Sequence, residues 1–136
     1  MAVKLGDRLV YGLSRLDAAG TLDPGEAAAE YGLEPGSKVL LVRGGVLGPL
    51  VVTAAVYAEL PADLQHGLLS EAVFLGRSEV TAKGRLLIVE RVREAYGLHA
   101  GDEVLLASAG SRGLHLILRG GLFGRALGTS GVPRLE

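Results

Sequence analysis

Tyr31-Gly32-Leu33-Glu34-Pro35-Gly36-Ser37-Lys38-Val39-Leu40-Leu41 lies over Tyr96-Gly97-Leu98-His99-Ala100-Gly101-Asp102-Glu103-Val104-Leu105-Leu106 at an offset of 65. Upstream, Gly12-Leu13-Ser14-Arg15-Leu16-Asp17-Ala18-Ala19-Gly20 lies over Gly76-Arg77-Ser78-Glu79-Val80-Thr81-Ala82-Lys83-Gly84 at an offset of 64. Tyr, Gly, Leu, Gly, Val, Leu and Leu recur in fixed order, which marks an internal duplication. A repeat constrains the whole fold, so it is read before local structure. One residue has been gained or lost between Gly20 and Tyr31.

Each copy reads as strand, turn, strand, short helix, turn, strand, strand. In the second copy, Glu79–Thr81 and Arg85–Val89 are strands around Ala82-Lys83-Gly84, with glycine where a hairpin turn needs positive φ. Glu90–Tyr96 is a short helix, with Val92 and Ala95 on one face and Gly97 as its stop. Glu103–Ala107 and Leu114–Leu118 form a second hairpin around Gly110–Gly113. The first copy repeats the order with Arg15–Asp17, Thr21-Leu22, Glu26–Tyr31, Lys38–Arg43 and Leu50–Thr53. Repeat 1 thus spans about 10–53 and repeat 2 about 74–118, joined by a linker over 54–72 with two short helical stretches around Pro61. Period-two alternation predicts burial of Val39, Leu41, Val104, Leu106, Leu116 and Leu118. Leu40 and Leu105 are apolar too, so the opposite face must pack on the helices or on another subunit. His115 alternates with apolar neighbours and reads as an outward strand residue. The Gly- and Ser-rich 128–136 reads as a mobile tail to a single pseudo-symmetric domain over 1–127.

The 136 residues suffice for one compact domain. With two Phe, four Tyr and no Trp, the core must be aliphatic. No cysteine is present, which excludes disulfides, thiolate metal sites and a Cys nucleophile. The most apolar stretch, Val46–Leu60, is interrupted by Gly48 and Pro49 and ends at Glu59 and Pro61, short of the roughly 20 apolar residues a bilayer helix needs. Met1–Val10 carries Lys4, Asp7 and Arg8 and lacks an apolar core like that of a secretion signal. The expectation is a cytoplasmic protein without a membrane partner.

The run Val80–Val104 resembles the AbrB/SpoVT/MazE family. The resemblance is carried by Gly84-Arg85, Val92-Arg93, Gly97-Leu98 and Gly101-Asp102, with Val89 where the family usually has proline. The first copy is similar more loosely, through Leu16-Asp17-Ala18-Ala19-Gly20 and Gly32-Leu33-Glu34-Pro35-Gly36, and its Pro24 falls on the family's proline position. The tandem arrangement resembles that of MraZ-type regulators. The resemblance implies a mainly β fold with short helices, in which two β-β-α-β-β units interleave their hairpins into one intramolecular swapped-hairpin, AbrB-like barrel. A unit of about 45 residues buries too little apolar surface to stand alone, so a second copy in the chain would complete the core.

The resemblance also implies a DNA-binding transcriptional regulator that contacts DNA through hairpin and helix cations. Carried over by position, these are Arg85 and Arg93, with Lys83 and Arg91 beside them and Arg15 in the first copy. The planar guanidinium fork suits phosphate or guanine. The first copy departs from the pattern: Thr21 replaces the hairpin arginine, and Ala28 or Ala29 the helix arginine. Residues 14–43 hold three basic and five acidic side chains, and residues 78–107 hold four basic and five acidic. DNA affinity rests largely on phosphate neutralisation, so any basic face belongs to the second copy, and self-association would be needed to multiply it. The alternative is a duplicated barrel that does not bind DNA and serves as a protein-interaction or ligand-binding module. No enzyme is expected. His66, His99 and His115 have no metal-ligand spacing, and no serine lies in a nucleophile elbow. No catalytic residue, metal or cofactor is expected.

Overall fold

The structure is a computed structural model and describes residues 3–5, 8–45, 47–109 and 113–118. The Gly110–Gly113 turn, except Gly113 itself, and the 128–136 tail lie outside them. The chain is mainly β with short helices. Its strands are β1 (Val3–Leu5), β2 (Arg8–Arg15), β3 (Thr21–Leu22), β4 (Lys38–Val42), β5 (Leu50–Thr53), β6 (Phe74–Glu79), β7 (Leu86–Leu87), β8 (Glu103–Ser108) and β9 (Leu114–Leu118). Its helices are α1 (Ala27–Tyr31), α2 (Ala54–Glu59), α3 (Ala62–Leu68) and α4 (Glu90–Tyr96).

The large sheet runs β1-β2-β8-β9-β5-β4-β6, and β3 pairs with β7 in a separate ribbon. Every pairing is antiparallel. The first strand of each copy pairs with the third strand of the other: β2 with β8, and β6 with β4. The register repeats as well. Gly12 faces Leu106 as Gly76 faces Leu41, and Ser14 faces Val104 as Ser78 faces Val39. Both seams carry a bulge at the same place, at Tyr11 and at Leu75. The expected closed barrel is corrected: the sheet has two ends, β1 and β6, and among the described residues these do not pair.

Local chemistry repeats with the strands. Gly32 ends α1 at φ 66° and Gly97 ends α4 at φ 64°, the left-handed cap that an L side chain avoids. The Leu33 amide then donates to the Ala28 carbonyl and the Leu98 amide to the Arg93 carbonyl, each at 2.8 Å. This makes Ala28, rather than Ala29, the counterpart of Arg93. The length difference is also located. The hairpin turns are equal, since Asp17 N donates to Thr21 O as Thr81 N donates to Arg85 O. The offset is still 64 at Asp23 and Leu87, which pair with the equivalent Ser14 and Ser78. It is 65 at Pro24 and Val89, whose carbonyls accept from Ala27 and Val92. The extra residue therefore lies at Ile88, after the second copy's return strand, and the two hairpins are equal in length.

The main core draws on both copies. Leu16 and Val80, Leu22 and Leu86, Leu33 and Leu98, Leu41 and Leu106, and Val51 and Leu116 all lie in one buried cluster. Of the residues expected to be buried, Leu118 alone is only partly so. The opposite sheet face forms two smaller clusters. Leu40, Val42 and Val52 lie under Val56, Tyr57 and Leu68 of α2 and α3. Their counterparts Leu105, Ala107 and Ile117 cluster with Val10 and Leu13. The linker helices thus cover the back of repeat 1. Thr53 Oγ1 caps α2 by accepting from Val56 N, and Pro61 precedes α3. No helix among the described residues is long and apolar enough to cross a membrane.

Candidate nucleic-acid interface

The two hairpin tips, Asp17–Gly20 and Thr81–Gly84, meet where β3 pairs with β7. The first tip is shaped by Asp17. Its Oδ1 accepts from the amides of Ala19 at 3.0 Å and Thr21 at 2.8 Å, and its Oδ2 accepts from Thr21 Oγ1 at 2.7 Å, an aspartate-closed turn. In the second tip Thr81 Oγ1 accepts from the Arg85 amide at 3.2 Å. Both tips close on left-handed glycines, Gly20 at φ 81° and Gly84 at φ 79°.

Arg85 crosses to the other copy's hairpin. Its Nε donates to Thr21 Oγ1 at 2.9 Å and lies 3.3 Å from Asp17 Oδ2, while an Nη donates to the Thr21 carbonyl at 3.4 Å. Hydrogen bonds from Thr21 hold the Asp17 carboxyl below the ordinary carboxylate range, and the Arg85 charge lowers it further. This guanidinium, whose side chain is 27% exposed, is committed to the neighbouring hairpin and only partly open to solvent.

Arg93 is positioned by α4. Val89 starts the helix, and Arg93 Nε donates back to the Ile88 carbonyl at 3.1 Å. Its guanidinium lies over the opposite tip: a Cβ placed on Gly20 would be 3.3 Å from its Cζ and Nε. The Ile88 amide donates to the Gly20 carbonyl at 2.8 Å. Ile88 is the residue the second copy has in addition, so this bond has no counterpart donor in the first copy.

Lys83 and Arg91 are exposed on the second tip and on α4. Arg15 stands apart from this group. It lies at the end of β2 and pairs with Glu103 across the sheet seam at 4.0 Å. The structure thus brings Arg85, Arg93 and the two hairpin tips together, and assigns Arg15 to a different contact. Sequence reasoning missed Asp17 and Thr21 as the partners of Arg85. The signal was available: Thr21 lies 64 residues before Arg85, and equivalent positions near the axis of a duplicated fold face each other. Among the described residues no group of three or more His, Asp or Glu side chains could hold a metal ion.

Fold and face together define a class: a duplicated β protein whose copies interleave and present paired hairpin tips of mixed charge. No protein-family model matches the chain, and no curated protein matches it.

Proposed function

We propose that this chain is a cytoplasmic DNA-binding transcriptional regulator with an AbrB-like swapped-hairpin fold. The observation that carries the reading is the joining of two interleaved hairpin tips beside α4, with Lys83, Arg91 and Arg93 on the second copy's side. Lys83 and Arg91 supply exposed charge, and Arg93 is a guanidinium fixed by its helix and by the facing turn. Such a group suits a duplex backbone or a guanine edge. Arg85 contributes less than its position suggests, because Asp17 neutralises part of its field. One chain offers few cations, so the reading includes self-association that sets several copies of this face along DNA.

The test is a titration of the full chain against genomic DNA fragments at two salt concentrations. Each phosphate neutralised changes the slope of log K against log salt by about −0.9. Three contacting cations per chain therefore give a slope near −2.7 per bound chain. The second reading, an interaction module that does not bind DNA, is favoured by the inward turn of Arg85 onto Asp17 and Thr21. Salt-independent binding, or none at low salt, would leave that reading standing.

A further inference from the structure

We propose that His115 is a pH-sensitive latch that fastens the start of β2 and the backbone at Gly44 and Gly48 to β9, and that its protonation releases the β1–β2 edge of the sheet. The proposal does not rest on the DNA-binding reading.

The sequence places His115 outward, but it is 4% exposed. It sits in the middle of the large sheet, opposite Ala107 on β8 and Leu50 on β5. Both ring nitrogens are used. Arg8 Nη1 lies 2.9 Å from Nδ1, and the Gly48 carbonyl lies 3.0 Å from Nε2. A guanidinium can only donate, so Nδ1 must hold a lone pair. Nε2 then carries the proton and donates to Gly48. The neutral ring is the only state that satisfies both contacts. The backbone leaves no slack: a Cβ on Gly44 would lie 3.1 Å from Nε2.

Adding a proton at Nδ1 sets N–H against N–H and places a buried cation beside a second cation. Among the described residues the charged group facing the ring is Arg8, from β2. The backbone contributes the carbonyls of Gly44 and Gly48, and Leu50 and Ala107 on the adjoining strands carry no charge. Burial lowers the ring's affinity for protons and Arg8 lowers it further, against the opposing pull of the two carbonyls. The sign follows. The unfolded ring takes up a proton near pH 6.5, and the folded ring does so only at lower pH. The stabilisation is complete above about pH 6.5 and is lost as pH falls through the folded value. The contact to fail first is Arg8–His115, because no donor can turn into an acceptor there. Arg8 is also where β2 pairs with Leu5 of β1, so that strand pair loosens while β4 and β6, at the other end of the sheet, stay closed.

The experiment is amide hydrogen exchange on the full chain at pH 7.5 and 5.0, corrected for intrinsic rates, with His115→Gln alongside. Glutamine can accept from Arg8 and does not titrate. In the parent chain protection over residues 8–10 falls by up to about tenfold per pH unit between about pH 6.5 and the folded value and levels off below it, while protection over 38–42 holds. In His115→Gln both segments hold. An equal loss in parent and variant, or a loss spread evenly over the sheet, overturns the proposal. Should the variant not fold, titration of the His115 ring by NMR in the parent chain decides. Titration below 6.5 that moves upward in Arg8→Gln supports the latch, and titration at or above 6.5 overturns it.

Discussion

At the residue scale, Arg85 and Thr21 hold equivalent places in the two copies and meet across the line that relates them. Arginine at both places would set two guanidiniums against each other. Thr21 and Asp17 replace that repulsion with a charge-assisted contact, which is stronger than a neutral one. The asymmetry of the copies is therefore structural. Asp17→Asn keeps acceptors for the turn amides and removes the charge that holds Arg85. Under the proposed function, DNA affinity rises and the salt slope steepens by up to about 0.9. The same variant is less stable at neutral pH. Because Thr21 and Arg85 lower the Asp17 pKa, the parent gains stability above the unfolded value near 3.9 and loses it as pH falls through the folded value. Urea unfolding at pH 7 and at pH 3 checks this: the difference between parent and variant shrinks in acid. Equal DNA binding with an undiminished difference at pH 3 would show that Arg85 is not restrained by Asp17.

At the scale of elements, the hairpins allow a matched comparison. Gly20 and Gly84 share a conformation, φ 81° and 79°, so alanine at either incurs the left-handed penalty of about 1–2 kcal/mol. The surroundings differ. A Cβ on Gly20 meets Arg93 and the Ile88 carbonyl, whereas one on Gly84 meets nothing within 4 Å. Gly20→Ala should therefore lower stability more than Gly84→Ala, and the excess should vanish when Arg93 is also replaced by alanine. Urea midpoints of the four chains read this out. Element order was legible in the sequence because glycines at Gly20, Gly32, Gly84 and Gly97 punctuate both copies at fixed offsets. The length of the first strands was not. Phe74–Glu79 and Arg8–Arg15 mix Gly, Ser and Arg with apolar residues, and their partners come from the other copy, so local periodicity carries little signal. His115 was misplaced for a related reason. Alternation identifies an outward residue only when one sheet face is wet, and β8 and β9 are buried on both faces. The cations Arg85 and Arg93 were legible by position, while their partners required the tertiary pairing of the tips.

For the molecule as a whole, interleaving raises a question of partner choice. A sheet built by exchanging first strands between similar copies could also form between chains, repeat 1 with repeat 1 and repeat 2 with repeat 2. The seams carry a charge pattern that bears on this. Arg15 faces Glu103 where β2 meets β8, and Glu79 faces Lys38 where β6 meets β4. The pairs lie 4.0 and 3.5 Å apart. These are equivalent positions with opposite signs. Pairing repeat 1 with repeat 1 of another copy would set Arg15 against Lys38, and pairing repeat 2 with repeat 2 would set Glu79 against Glu103. Both homotypic seams become repulsive, whereas pairing repeat 1 with repeat 2 is attractive at both. Directly opposed charges across a sheet are worth roughly 0.2–1 kcal/mol each, and these are partly exposed, so each alone is a small bias. A homotypic exchange between two chains meets the repulsion at all four seams, two of each kind, and the contributions accumulate. Discrimination of this kind depends on the repulsive element as much as on the attractive one. The prediction follows from the signs. Arg15→Glu combined with Glu103→Lys keeps an opposite-charge pair at that seam, so monomer stability in urea changes little. It also makes both homotypic seams attractive, since the introduced glutamate faces Lys38 and the introduced lysine faces Glu79. After refolding at high concentration and low salt, the double variant should contain more exchanged dimer than the parent by size-exclusion chromatography with light scattering, and added salt should reduce the difference. An unchanged dimer fraction would mean that linker length and loop geometry, rather than the seam charges, decide which copies pair.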